Sequence, residues 1–170
     1  IEEPYNPSFV PRNGDTNLFA RLSDLQEHIK TPVCLDESVV TAQDMEEAMD
    51  FDNLKCYALK VAKFGGIQPT LDFYKWAREQ GKVTWMGGMF DTGVSKRMHA
   101  AFATLPGMDL PADVSDFTEY FEHDTALPPL QLQEGELVLN TVDHPAGLGC
   151  VLDKDYLRSV LVDEVTIAKD

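Results

Sequence analysis

Short apolar strands recur along the first 115 residues at a nearly constant spacing, and amphipathic helices lie between them. The predicted strands start near residues 32, 57, 83 and 112, so successive starts are 25, 26 and 29 residues apart. This is the period of βα units, in which helical crossovers join parallel strands. The pattern predicts an α/β fold, either a (β/α)₈ barrel or an open doubly wound sheet. Because a complete barrel needs about 250 residues, four units would form half of one.

Apolar periodicity gives the expected bounds of these elements. Leu18, Leu22, Leu25 and Ile29 share one helix face, with Asp15, Thr16 or Asn17 as the possible N-cap. Further helices are predicted over about 42–50, from Pro69 to Gly81 and around Met98–Leu105. Strands are predicted over 33–35, 57–61 and 83–86, and a weaker one over 113–115. Prolines and glycines punctuate short apolar pieces after Asp124. We therefore expect half of a barrel over 1–124 and a β-rich C-terminal extension over 125–170 that packs across the domain.

The charge balance narrows the classes of partner. Fourteen basic against 29 acidic residues give a net charge of −15. That argues against binding nucleic acid or an anionic membrane surface, both of which rely on lysine and arginine. No apolar run is long enough for a transmembrane helix. The three widely spaced cysteines, Cys34, Cys56 and Cys150, form neither a disulfide framework nor a zinc motif, so a cytoplasmic protein with buried free thiols is expected.

Charged side chains stand where the predicted parallel strands end. These are Glu2 and Glu3, then Asp36 and Glu37, then Lys60 and Lys63, with Gly87, Gly88, Met89 and Asp91 after the next strand. Strand ends of this kind form the active-site face of a barrel. Carboxylates from successive strands are hard oxygen ligands, which suit Mg²⁺ better than zinc. A lysine beside such an ion would have a pKa lowered towards neutrality and would transfer protons next to a carboxylate.

Each of these residues also has a plainer interpretation. Asp36, Glu37 and Ser38 together are typical of a helix N-terminus, where acidic side chains favour the helix dipole. Lys60 alone is a common solvated lysine, Glu2 and Glu3 are ordinary surface charges, and Gly87-Gly88 is an ordinary turn. The four histidines share no ligand spacing, and the two tryptophans are expected in the core. The chemical interpretation depends on the joint pattern.

Four segments occur in order at the strand ends: Ile-Glu-Glu-Pro, Leu-Asp-Glu-Ser, Leu-Lys-Val-Ala-Lys-Phe-Gly-Gly and Gly-Gly-Met-Phe-Asp-Thr-Gly-Val. Together they resemble the muconate-lactonising subgroup of the enolase superfamily, and within it the o-succinylbenzoate synthases and N-acylamino acid (N-succinylamino acid) racemases. The resemblance extends through Gly107–Ser115 and Pro145–Gly149. It implies that residues 1–124 are the second, C-terminal half of an enolase-type (β/α) barrel, from the end of the fourth strand. It also implies that residues 125–170 pack on the barrel and capping region.

The resemblance also implies roles for individual residues. Glu2 and Asp36 match metal ligands of the fourth and fifth strands, and Lys60 matches the catalytic lysine of the sixth. The segment that shapes the substrate pocket corresponds to Gly87, Gly88, Met89, Asp91, Thr92 and Gly93. Asp91 stands where the family usually has glutamate, and the loop from Tyr5 to Asn17 is longer than usual.

Several family features have no counterpart in this chain. They are the N-terminal capping domain, the Lys-x-Lys motif of the second strand and the metal-ligand aspartate of the third. We therefore expect the chain to be the C-terminal part of a longer enzyme, with the missing N-terminal part as its partner. By itself it is expected not to turn over substrate.

The reaction implied by the resemblance is Mg²⁺-dependent proton abstraction next to a carboxylate, with Mn²⁺ as an alternative ion. The first choice is a lyase reaction, dehydration to o-succinylbenzoate, a menaquinone precursor. The alternative within the family is racemisation of N-acylated amino acids. Outside enzymes, a non-catalytic barrel fragment or binding scaffold stays open, as does an unrelated open α/β domain. The expected partner of the enzyme is a small-molecule carboxylate substrate, and homo-oligomerisation is left open.

Overall fold

The computed structural model describes residues 1–5, 17–139 and 147–166. The chain divides into two compact units, which are described separately. The first comprises Ile1–Gly87 and Phe102–Asp113, and the second comprises Gly88–Ala101 and Val114–Asp170. The expected domain boundary at Asp124 stays a prediction. Among the described residues, no helix has the length and apolar character required to cross a membrane.

A parallel sheet with helical crossovers makes up the first unit. Its elements are α1 (Leu18–His28), β1 (Cys34–Leu35), α2 (Ala42–Met49), β2 (Cys56–Leu59), α3 (Ile67–Glu79) and β3 (Val83–Met86). The strands lie in the order β1-β2-β3, with Cys34 opposite Cys56 and Ala58 opposite Trp85. Two bridges extend this parallel pairing, one from Glu2 to Cys34 and the other from Thr84 to Met108. The expected βα order is confirmed in this unit.

The core of this unit lies around β2. All four β2 residues are buried, as are Val33 and Leu35 beside them. Strands buried on both faces are typical of parallel sheets covered by helices, and the helices here contribute Leu22, Ala48 and Phe73. The first residue after each strand therefore stands at one edge of the sheet, next to a buried interior.

Local capping fixes where the helices begin. Asn17 is the N-cap of α1, and its side chain accepts a hydrogen bond from the Ala20 amide at 2.9 Å. α3 begins at Ile67, two residues before the predicted Pro69, because Gly66 provides the N-cap at φ 132°, a backbone conformation that favours glycine. α2 begins with a reciprocal capping box between Thr41 and Asp44.

The second unit contains most of α4 (Gly93–Ala103), four short strands and α5 (Lys154–Ser159). The strands are β4 (Ala126–Leu127), β5 (Gln131–Gln133), β6 (Glu136–Val138) and β7 (Val151–Leu152). β4 pairs with β7 and β5 with β6, both antiparallel. The expected β-rich character of the C-terminal extension is therefore observed. The Pro145-Ala146 part of the tail motif lies outside the described residues, as does most of the loop between Tyr5 and Asn17.

Two expected elements differ from those observed. α4 begins at Gly93, five residues before the predicted start, because the distant Asp124 carboxylate accepts the Gly93 N–H at 2.7 Å. The strand predicted over 113–115 is wrong. The chain meets β3 earlier, at Met108 and Asp109, where the Asp109 amide donates to the Thr84 carbonyl at 2.9 Å. A second contact follows at Asp113, whose amide donates to the Met86 carbonyl at 2.9 Å. Pro111, which has no N–H, falls between these two contacts.

The α2 capping box predicts a pH-dependent contribution to stability. Burial raises the pKa of Asp44, but hydrogen bonds from Thr41 and the Val40 amide outweigh it, so this pKa lies below its ordinary value. Replacing Asp44→Ala should lower the free energy of unfolding at pH 7 by about 1 kcal/mol. Because the pKa of Asp44 is lower in the folded than in the unfolded protein, the ionised carboxylate stabilises the fold at pH values above the unfolded-state pKa of about 3.9. This contribution is lost as the pH falls through the folded-state pKa.

Denaturant titrations at pH 7 and at pH 3 check this expectation. Glu46→Ala, which removes an exposed carboxylate from the same helix, is the matched control. The difference in free energy of unfolding between wild type and Asp44→Ala should be smaller at pH 3 than at pH 7. The free energy of unfolding of the control should stay near that of wild type at both pH values. An equal difference at both pH values would contradict the role given to the carboxylate.

Candidate functional site

The parallel register brings three of the predicted site residues to one edge of the sheet. Glu2 lies in the segment that pairs with β1, Asp36 directly follows β1, and Lys60 directly follows β2. Neighbouring parallel strands run in the same direction, so their carboxyl ends meet at the same edge. Residues far apart in sequence thereby become neighbours, as the strand-end argument predicts.

The Asp36 side chain is the centre of this cluster. It is 1% exposed, and its two oxygens are paired with two different lysines. Oδ2 pairs with the Lys60 ammonium, and Oδ1 lies 2.7 Å from Nζ of Lys63. Lys63 also donates to the Asp36 carbonyl at 2.8 Å and to the Ala58 carbonyl at 2.9 Å. The buried carboxylate is thus neutralised from both sides.

The two lysines have pKa shifts of opposite direction. Burial lowers the pKa of Lys60, but the contact with Asp36 and the charges of Glu37 and Glu2 raise it above its ordinary value. For Lys63, deeper burial prevails and its pKa is lowered. The sequence expectation of a lowered Lys60 pKa assumed a cation beside it. The raised pKa is that of Lys60 beside the Asp36 carboxylate alone, so the expected lowering by a bound cation stays a prediction.

The carboxyl groups of Glu2 and Asp36 also contact each other. Burial, followed by this hydrogen-bonded contact with Asp36, raises the pKa of Glu2. For Asp36, burial raises the pKa, but the charges and hydrogen bonds of Lys63 and Lys60 outweigh it and hold the pKa below its ordinary value. Two converging carboxyl groups of this kind favour positive charge beside them, and in this structure the Lys60 and Lys63 ammonium groups supply it.

This donor set fits a hard divalent cation in part. Glu2 and Asp36 supply the oxygen ligands that Mg²⁺ prefers, without sulfur or imidazole beside them. Within the described part of the chain, no group of three or more histidine, cysteine, aspartate or glutamate side chains is arranged to hold a metal. The described residues therefore offer two protein ligands, and further ligands would have to come from elsewhere.

The remaining predicted residues divide between the units. Gly87 directly follows β3 in the first unit, whereas Gly88, Met89, Asp91, Thr92 and Gly93 belong to the second. Within the second unit, the Asp91 carboxylate lies 3.4 Å from Nδ1 of the buried His99, and the Gly93 amide is bound by Asp124. Their assignment to substrate binding stays a prediction.

Two residues that contact the site were not given a role by sequence reasoning. Lys63 lies three residues after Lys60, and this spacing places it near the strand end without indicating its contact with Asp36. The sequence predicts Glu3 to be a surface charge beside Glu2, yet its side chain binds the turn at Asp36. Neither contact follows from spacing alone, because each depends on the path of the chain beyond the strand.

Comparison with known proteins identifies the family of this chain. Residues 1–156 match the model of the enolase C-terminal domain-like family. The chain is 31% identical over 134 residues to an o-succinylbenzoate synthase of Bacillus subtilis, covering 79% of this chain and 35% of that protein. It is 33% identical over 143 residues to an N-succinylamino acid racemase of Thermus thermophilus, covering 84% of this chain and 37% of that protein.

A solved structure extends the comparison to the fold. The crystal structure of an enolase superfamily member from Listeria innocua aligns with a TM-score of 0.78 and 27% identity, over 93% of this chain and 39% of that one. This chain thus spans little more than a third of the length of the relatives it matches. The expected fold, a parallel α/β unit of an enolase-type barrel, is confirmed, and the chain belongs to the enolase C-terminal domain-like family.

Proposed function

We propose that this chain is the C-terminal part of a Mg²⁺-dependent enzyme that abstracts a proton next to a carboxylate, and that its reaction is the dehydration that yields o-succinylbenzoate. One observation carries the proposal: two carboxyl groups and a lysine from successive strand ends meet around the buried side chain of Asp36. Relatives named o-succinylbenzoate synthase, about 31% identical over more than three-quarters of the chain, support the choice of reaction.

Each residue of the cluster has a distinct task in this proposal. Glu2 and Asp36 hold the magnesium ion, which supplies positive charge to stabilise the negative charge that develops on the substrate carboxylate. Lys60 supports the intermediate of the dehydration with its ammonium charge, and in the alternative racemisation it gives or takes a proton at Nζ. Asp36 also keeps the Lys60 ammonium at the strand end through their ion pair. The segment Gly87–Gly93 contributes contacts to the remainder of the substrate.

Racemisation of N-succinylamino acids is the second candidate. The Thermus relative of that name is as similar to this chain as the synthases are. Both reactions begin with removal of a proton next to a carboxylate, so Glu2, Asp36 and Lys60 would serve either one. These residues therefore do not distinguish dehydration from racemisation, and an activity assay with each substrate is required.

The test uses the complete enzyme, in which this chain is joined to the N-terminal part that the proposal requires. We expect Mg²⁺-dependent formation of o-succinylbenzoate, lowered by about 10²–10³-fold in Lys60→Ala, because loss of one preorganised group that stabilises developing charge costs on that order. Lys75→Ala, at an exposed position on α3, is the matched control and should keep wild-type activity.

The same preparations are assayed with single enantiomers of N-succinylamino acids. Racemisation faster than dehydration would favour the second candidate over the first. If the folded complete enzyme, supplied with Mg²⁺, acts on neither substrate, the enzymatic proposal is overturned. The non-catalytic binding scaffold is then the interpretation that remains.

Gly87 supports the role of Lys60 in a separate way. A Cβ at Gly87 would lie 2.6 Å from Cε and 3.2 Å from Cγ of Lys60. Nonbonded carbon atoms prefer about 3.5–4.0 Å, so a side chain here and the observed Lys60 conformation exclude each other. The absence of a side chain at residue 87 leaves the space in which Lys60 reaches Asp36.

Gly87→Ala is therefore expected to displace Lys60 rather than the backbone, because the contacted atoms belong to a flexible side chain. Lys60 should leave Asp36, become more exposed and lose the contact that raises its pKa. We expect several-fold faster reductive methylation of Lys60, measured by mass spectrometry, with exposed Lys75 as the internal reference. Unchanged methylation of Lys60 together with a large loss of stability would contradict this role for Gly87.

A further inference from the structure

Glu3 has an unusual backbone conformation next to a proposed metal ligand. Its φ is +36°, in the left-handed region that residues other than glycine rarely adopt. Even so, its amide continues the pairing with β1 by donating to the Cys34 carbonyl at 3.0 Å. A conformation of this kind persists only where surrounding contacts hold it.

The contacts that hold it come from the turn after β1. One oxygen of the Glu3 carboxylate, Oε1, accepts three hydrogen bonds: from the Asp36 amide at 2.7 Å, the Ser38 amide at 2.9 Å and the Ser38 hydroxyl at 2.6 Å. The turn itself is closed by the Val39 amide, which donates to the Asp36 carbonyl at 3.1 Å. Glu3 thus fixes the backbone of Asp36 itself.

This arrangement connects the two carboxylates of the site. Glu2 and Asp36 lie on chain segments 34 residues apart, yet Glu3 is covalently adjacent to Glu2 and hydrogen-bonded to Asp36. We propose that Glu3 is a positioning residue that sets the placement of the Asp36 carboxylate relative to Glu2. The consequence for metal binding rests on the function proposed above, whereas the placement of the turn does not.

The acceptor oxygen, rather than the charge, performs this task. All three hydrogen bonds end on Oε1, and Oε2 is buried without a hydrogen-bond partner within the described part of the chain. A glutamine at this position keeps an oxygen that accepts the same three bonds. An alanine leaves the Asp36 and Ser38 amides without their acceptor, which costs about 1–3 kcal/mol for each buried donor left unpaired.

Amide hydrogen exchange tests the positioning role without any metal. In Glu3→Ala, we expect exchange at Asp36 and Ser38 to accelerate by about 10-fold or more, with the β2 and β3 amides unchanged. In Glu3→Gln, the exchange rates of the same two amides should stay within about threefold of those in wild type. Glu37→Ala, which removes a neighbouring exposed carboxylate but none of these hydrogen bonds, is the matched control and should leave exchange unchanged.

Two exchange results would overturn the inference. One is wild-type exchange at Asp36 and Ser38 in Glu3→Ala. The other is uniform acceleration over the first unit, which would indicate general destabilisation rather than local positioning.

Titration with Mn²⁺ alone separates this inference from the proposed function. If the positioning is correct, Glu3→Ala weakens Mn²⁺ binding by about 10-fold and Glu3→Gln restores it to within about threefold. Mn²⁺ binding that is unchanged in Glu3→Ala would overturn the inference. A complete enzyme that binds no Mn²⁺, together with the expected exchange pattern, would overturn the metal proposal and support the positioning of the turn.

Discussion

The buried carboxylate of Asp36 is the interaction on which the rest of the site depends. A charge that is 1% exposed must be paired, because removing one partner of a buried ion pair costs about 3–5 kcal/mol. Its partners come from the end of β2 and the turn beyond it, and its backbone is bound by Glu3 from the first segment. Asp36 therefore connects three successive strand ends through its ion pairs and hydrogen bonds. These bonds hold the proposed site residues in a defined position.

Much of this arrangement follows from the sequence by physical reasoning. The βα spacing predicts a parallel sheet, and parallel strands place their carboxyl ends at one edge, so Glu2, Asp36 and Lys60 are predicted to be neighbours. The structure brings these three together. The capping of α1 by Asn17 is likewise local chemistry, since a side chain three residues before the Ala20 amide has little choice of partner.

What the sequence does not determine is the path of long side chains and loops. Lys63 turns back to the Ala58 carbonyl and so reaches Asp36, and Glu3 crosses to Ser38, contacts that strand periodicity does not encode. The early start of α4 depends on Asp124, 31 residues away. The direction of the Lys60 pKa shift depends on which charge lies beside the ammonium, and spacing does not specify that.

The most direct test of this account is a calorimetric titration of the chain with Mn²⁺, comparing wild type with Glu2→Gln, Asp36→Asn and the double variant. If the two carboxylates hold one ion, wild type binds weakly, and each single substitution removes most of that binding. The double variant then loses little more, because the two effects share one site. Mn²⁺ binding of wild-type strength in both single variants, with the fold intact by circular dichroism, would contradict the account.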